Sequence, residues 1–231
     1  MSGRAFDSFV DSKNEIRRDL AEMGVAVHTR TYQDKVIEDD EDMSTLELMA
    51  YQYTVHRPRI IDLEVTQPWA NLEWEERVQG ICGNPVNPGV AWESRADVWT
   101  EFLHDGEFSY TYSERLSIGN QVNMAIGLLK RDMNSRQAQV HIRGAFDNQH
   151  SLLYNDRQPC SNSYHFLYRQ GALHVIYDMR SCDFATHFDN DIFFALRMQR
   201  YVAKLLEVLP GSFTHIIHSL HVFKKDVKNV F

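Results

Sequence analysis

The stretch PCSNSYHFLYRQGALHVIYDMRSCD, residues 159–183, decides how this chain is read. Tyr164–Arg169 and Leu173–Met179 alternate as strands, and Gln170-Gly171 between them has the composition of a tight hairpin turn. Cys160 stands before the first strand. Arg180-Ser181 and Asp183 follow the second, twenty residues after the cysteine. A thiol attacks as the thiolate, and a nearby guanidinium lowers its pKa. Arginine and a serine hydroxyl are also phosphate ligands. An enzyme that adds a thiol to the base of a nucleotide needs these groups close together. Taken alone, Cys160 reads equally well as a small buried hydrophobe.

Outward from this hairpin, residues 7–23 predict an amphipathic helix with Phe9, Ile16 and Leu20 on its inner face and Gly24 as its stop. Val25–Lys35 predicts a strand and a turn, Asp39–Asp42 a solvated acidic turn, and Leu46–Val55 a strand. Asn71–Gln79 reads as a helix ended by Gly80, and residues 81–91 as a loop punctuated by Gly and Pro. Gln121–Asp132 is a strongly amphipathic helix, and Ala138–Arg143 a strand. Phe193–Leu209 is the most apolar helix, followed by Pro210-Gly211 and a histidine-rich strand over Thr214–Phe223. The expected architecture is α+β, with long strands packed against a few long helices.

The 231 residues show no break in composition and no repeats, so one domain over 1–231 is expected. The net charge of −8 argues against bulk attraction to nucleic acid or anionic lipid. The alternating charges of Met1–Leu20 are unlike a signal peptide, and no apolar run reaches membrane-spanning length. Three cysteines without zinc spacing or a disulfide framework point to a reducing, cytoplasmic setting and to no metal.

Arg30, Arg136, Arg143 and Arg180 stand in apolar or strand-like settings. Each reads as solvated charge or as part of a phosphate site. Asp183 and Asp191 would repel a phosphate and suit another part of a ligand. A carboxyl that accepts from an exocyclic amine, and donates to a ring nitrogen when protonated, suits a cytosine edge. The competing reading of His187–Asp191 is an exposed turn. Glu73, between Trp69 and Trp74, reads either as a proton shuttle of raised pKa or, with Glu75 and Glu76, as a solvated acidic face.

Together these residues resemble the thymidylate synthase family, including its pyrimidine hydroxymethylase branch. The resemblance rests on Gly106–Tyr112, Ser135-Arg136-Gln137, Pro159-Cys160, Arg180-Ser181-Cys182-Asp183, Pro210-Gly211-Ser212-Phe213 and Ser219–Phe223. It implies a large twisted mixed β-sheet packed with long helices, and a homodimer formed through the sheet. It implies a nucleophile in Cys160, which adds to pyrimidine C6 with Arg180 beside it, and a proton shuttle in Glu73. Arg30, Arg136, Arg180 and Ser181 would hold the 5′-phosphate, Arg136 reaching across from the partner. His221 would contact the 3′-hydroxyl. Asp183 and Trp99 would contact the co-substrate, 5,10-methylenetetrahydrofolate or a related reduced pterin.

Asp191 falls where uracil-specific members carry an asparagine, and the run Asp189-Asn190-Asp191 is similar to the deoxycytidylate hydroxymethylase branch. The resemblance thus implies hydroxymethylation of deoxycytidine monophosphate (dCMP). Methylation of deoxyuridine monophosphate (dUMP) or of dCMP stays open, as does a relative that binds nucleotide without catalysis. Gln137, Phe223 and His187 depart from the family pattern, and the glutamate register admits Glu73 or Asn71. With ten residues after His221, no lid over the folate is expected, which favours water as the final nucleophile.

Overall fold

The computed structural model describes residues 3–32, 35–78, 83–85, 89–154 and 157–231. Gln79, Gly80, Cys82 and part of the loop expected over 81–91 lie outside the described residues. Strand β1 (Arg4–Phe6) leads into helix α1 (Phe9–Met23). Ser8 caps α1 by accepting from the Asp11 N–H, and Phe9, Ile16 and Leu20 on its inner face are fully buried. Strand β2 (Val25–Val27) and the small ribbon β3 (Thr31–Tyr32) and β4 (Lys35–Val36) precede the long β5 (Thr45–Val55).

The helix expected at Asn71–Gln79 begins two residues earlier, as α2 (Trp69–Val78). Short turns α3 (Val90–Glu93) and α4 (Ala96–Trp99) follow, then α5 (Tyr112–Ser117), set by the capping box Thr111 and Glu114. The amphipathic α6 (Gln121–Arg131) and the short β6 (Gln139–His141) come next, with α7 (Asp147–Tyr154) after them. The central hairpin is β7 (Ser161–Arg169) and β8 (Ala172–Met179). Then come β9 (Cys182–Asp183), α8 (Phe188–Leu205), β10 (Leu209–Phe223) and the terminal turn α9 (Val227–Val230).

Helix α8 spans Phe188–Leu205 instead of the expected Phe193–Leu209. Its early start is favoured by Asp189 and Asp191 in the first turn, where carboxylates face the positive end of the helix dipole, and by buried Phe188 and Ile192. His187–Asp191 is thus no exposed turn. At the other end Glu207 takes a left-handed φ of 57°, and Leu209-Pro210 already pair with Ala172-Leu173. A register break between Pro210 and Phe213 absorbs the Pro-Gly pair at the start of β10.

The main sheet runs in the order β1-β5-β10-β8-β7-β6, with β2 added to β5 and β9 added to β10. It is mixed. β10 lies antiparallel to β5 and parallel to β8 and β9. Helices α1, α2, α6 and α8 contribute buried apolar residues to one core with the inward side chains of β5, β7, β8 and β10. His215, at the middle of β10, is fully buried and bonds the Tyr53 hydroxyl at 3.0 Å through Nδ1. It stacks on Tyr177 with ring centres 5.1 Å apart.

Burial pushes the His215 imidazole down to about 3. Its folded value lies below the unfolded one, so neutral His215 supports stability above pH ~6.5, and that support is lost as pH falls towards 3. The loss is on the order of 4–5 kcal/mol when complete. Urea unfolding of His215→Phe at pH 7 and pH 4 is expected to show a smaller acid loss than wild type, although the variant is weaker at pH 7 because the Tyr53 hydroxyl loses its partner.

Candidate active site

The twenty-residue spacing between Cys160 and Arg180 becomes a contact through the hairpin. Gln170 and Gly171 have φ of 52° and 81°, the two positive values a tight hairpin turn needs. Pairing runs in step from Arg169 with Ala172 to Ser163 with Asp178. An irregularity between Ser161 and Ser163 then slips the register by one, so Ser161 lies opposite Met179. The Arg180 N–H consequently donates to the Cys160 carbonyl at 2.9 Å. Beyond Met179 the chain leaves β10 at Arg180-Ser181 and rejoins it at Cys182, opposite Leu220. That break turns Arg180 and Ser181 towards a cavity of about 440 Å³.

Arg180 donates from Nε to the Pro159 carbonyl at 2.9 Å and from Nη2 to the Gln158 carbonyl at 3.0 Å. These bonds hold the strand entrance that carries the thiol, and Nη2 stands 3.8 Å from the Cys160 Sγ. Burial pushes Cys160 up from its ordinary value, and Arg180 only partly opposes this.

Cys160, Arg180, Ser181 and Asp191 line the cavity, as do Glu73, His221, Asp183 and Trp99. Arg30 and Arg136 do not. The Arg30 side chain is exposed and faces Glu38 at 3.3 Å, and Arg136 is exposed on the approach to β6. Arg143 binds Gln158 and Asn148 instead of the cavity. Asn71 is exposed and is not among the cavity-lining residues, so of the two candidate registers only Glu73 puts its residue at the wall.

The run Asp189-Asn190-Asp191 divides its work. Asp189 accepts from Lys13 Nζ at 2.8 Å and from the Glu64 N–H at 2.7 Å, tying α8 to α1. Asn190 accepts from the Thr66 N–H at 2.9 Å and also reaches the cavity wall. Asp191 is left to the cavity, where Cys182 Sγ is 3.8 Å from Oδ2. Burial raises Asp191 to about 7, against the pull of Arg77. Asp183 uses Oδ1 to accept from the Ala185 and Thr186 N–H groups, which shapes the turn into α8. Burial lowers His187 and His221, with Asp183 opposing the shift in both.

The acidic face expected on α2 is split. Glu75 is exposed, but Glu76 is buried and accepts from the Ala91 N–H at 2.8 Å. Glu73 pairs at 2.9 Å with Arg77. Sequence reading missed Arg77 and also Arg157, Arg95 and Tyr112, all of which line the cavity. The Glu73-Arg77 spacing of four residues was the available signal, since such pairs share a helix face. Arg157 lies over Phe102 at 4.3 Å and near Trp99 at 5.5 Å, and Arg95 lies over Trp69 at 5.0 Å. The indole Nε1 atoms of Trp69 and Trp99 are buried with no acceptor among the described residues. Flat aromatic walls and cations suit a heteroaromatic ligand that carries negative charge.

Residues 85–231 match the family model described as thymidylate synthase. A Methanocaldococcus jannaschii protein is 23% identical over 196 residues, covering 82% of this chain and 80% of its own length. A Methanosarcina barkeri protein is 28% identical over 146 residues, covering 59% of this chain and 65% of its own length. Both carry the name "Putative thymidylate synthase". Among solved structures, thermostable thymidylate synthase A of Bacillus subtilis superposes with a TM-score of 0.77 at 20% identity, over 96% of this chain and 82% of that one. Thymidylate synthase from T4 phage gives 0.71 at 19% identity, over 94% and 78%. Among the described residues no helix is long and apolar enough to cross a membrane. The fold is that of the thymidylate synthases, and the chain belongs to the thymidylate synthase family.

Proposed function

We propose that the protein transfers a one-carbon unit to C5 of a deoxypyrimidine monophosphate, with dCMP as substrate and 5-hydroxymethyl-dCMP as product. The observation that carries the base assignment is Asp191, a buried carboxyl at the cavity wall, while Asp189 of the same run is committed to packing. With Oδ2 facing the Cys182 thiol, Oδ1 is left to accept from the exocyclic amine of cytosine. Cys160 adds to C6, which makes C5 nucleophilic. Arg180 and Ser181 hold the phosphate and fix the ring over the thiol. Glu73 exchanges protons with the base, and His221 meets the sugar.

The cavity residues fit a reduced folate, 5,10-methylenetetrahydrofolate or a related pterin, with Asp183, Trp99 and Trp69 around its ring system. When bound, that group supplies the one-carbon unit at the methylene level. Arg30 and Arg136 lie outside the cavity of a single chain. In a homodimer formed through the sheet, the partner would bring its arginine to this site.

A second reading, methylation of dUMP, is favoured by the names of the two archaeal relatives. Incubation with dCMP and dUMP in competition, each with methylenetetrahydrofolate, separates the two by mass. Hydroxymethyl-dCMP with no dihydrofolate is expected. Thymidylate with stoichiometric dihydrofolate would establish the second reading instead, because methylation oxidises the carrier.

A further inference from the structure

We infer that Arg77 is a positioning residue of this site, a fixed buried cation that holds the Glu73 carboxylate at the cavity wall and serves as the shared counter-charge of Glu73 and Asp191. The inference deepens the proposed reaction and rests on it for the roles of the two carboxyls. Its geometry does not depend on it.

Arg77 lies one turn after Glu73 on α2, and the two side chains are 6% and 19% exposed. Its guanidinium is stacked between two rings, with Cζ 4.1 Å from the Tyr112 ring centre and 3.9 Å from that of Phe194. Tyr112 comes from α5 and Phe194 from α8, so three helices fix one planar cation. A guanidinium stacks in this way on its faces while its edge donates, and an ammonium does not. The edge donates from Nε to Glu73 Oε1 at 2.9 Å.

A buried cation without an anion is strongly unfavourable, and so is a buried carboxylate without a cation. Arg77 and Glu73 satisfy each other. Glu73 supports the charge of Arg77 against burial, and the phenols of Tyr164 and Tyr112 are the next groups to act on it. Asp191 stands three residues before Phe194 on α8, on the helix face that stacks against Arg77, and it lines the same cavity as Arg77 and Glu73, which makes it the second carboxyl on which Arg77 acts. One cation therefore serves two acids, of which Glu73 holds it by direct contact. Burial raises Asp191 to about 7, and the nearby Arg77 charge opposes the rise.

The test is carbon-13 NMR titration of labelled Asp and Glu carboxyls, with Asp191→Asn and Glu73→Gln for assignment, in wild type, Arg77→Met and Arg77→Lys. In Arg77→Met the Asp191 midpoint is expected to rise by about one pH unit or more. Arg77→Lys retains the charge and so keeps the Asp191 midpoint near that of wild type. It is expected to lower kcat about tenfold or more with little change in the nucleotide KM, because lysine cannot hold Glu73 from between two rings. If Arg77→Met unfolds, Arg77→Met/Glu73→Gln removes both charges together, and its Asp191 midpoint is still expected to rise. An Asp191 midpoint unmoved in folded Arg77→Met or in the double variant overturns the inference. The titrations need no turnover, so failure of the proposed reaction and failure of this inference are separate results.

Discussion

Replacing Cys160 by alanine is expected to lower turnover by roughly 10⁴-fold or more and to end covalent trapping by a 5-fluoropyrimidine nucleotide, while equilibrium binding of the nucleotide persists. The expectation follows from geometry. The hairpin slip places the thiol 3.8 Å from Arg180 Nη2, at the wall of the cavity. Burial disfavours the thiolate in the cavity without ligand, and Arg180 is the first group that opposes it. Arg180→Ala therefore acts in two ways, raising the thiol further and removing a phosphate ligand, and it is expected to impair both kcat and nucleotide affinity. Rapid-quench mass spectrometry of the adduct checks the alanine variant. An adduct of wild-type yield in Cys160→Ala would remove the nucleophile from the account.

Asp191→Asn is expected to move the ratio of kcat/KM for dCMP over dUMP by roughly 10³-fold or more in favour of dUMP. The Cys182 thiol faces Oδ2, so in the variant the amide oxygen occupies that place and the amide nitrogen faces the base. That nitrogen donates to uracil O4 but meets the amine of cytosine donor to donor, leaving buried donors unpaired. The same substitution changes stability. The folded Asp191 carboxyl, raised to about 7, lies above its unfolded value of ~3.9. Its contribution is therefore intact below pH ~4 and is lost as pH rises through 7, on the order of 4 kcal/mol at most. Asp191→Asn lacks that loss and is expected to be more stable than wild type at pH 8, with the advantage shrinking towards pH 4. Parallel kinetics on both nucleotides and urea unfolding at the two pH values check the pair of effects.

What was legible in the sequence follows from the range of the interactions. The hairpin at Gln170-Gly171, the inner face of α1 and the amphipathic α6 depend on turn chemistry and periodicity, and these are local. The helix starting at Phe188 was placed five residues late because its aspartates read as ligand-facing or turn residues. Those aspartates in fact favour the helix start, and Asp189, through Lys13 and the Glu64 N–H, docks it. Cavity residues carried by family motifs, Cys160, Arg180, Ser181, Asp183 and His221, were all readable. Arg77 and Arg157 belong to none of those motifs. The Glu73-Arg77 spacing signals that ion pair, but the aromatic partners that place the two guanidiniums, Phe194 for Arg77 and Trp99 and Phe102 for Arg157, come from other elements and are not revealed by spacing along the chain.

Tritium release from 5-tritiated dCMP and dUMP, run in parallel with methylenetetrahydrofolate in wild type and Cys160→Ala, decides both the base and the nucleophile at once. Any substitution at C5 through a Cys160 adduct frees that hydrogen. Release is expected from dCMP in wild type, much less from dUMP, and none from either in Cys160→Ala. Release from dUMP alone would contradict the reading of Asp191, and release that survives the loss of Cys160 would contradict the mechanism itself.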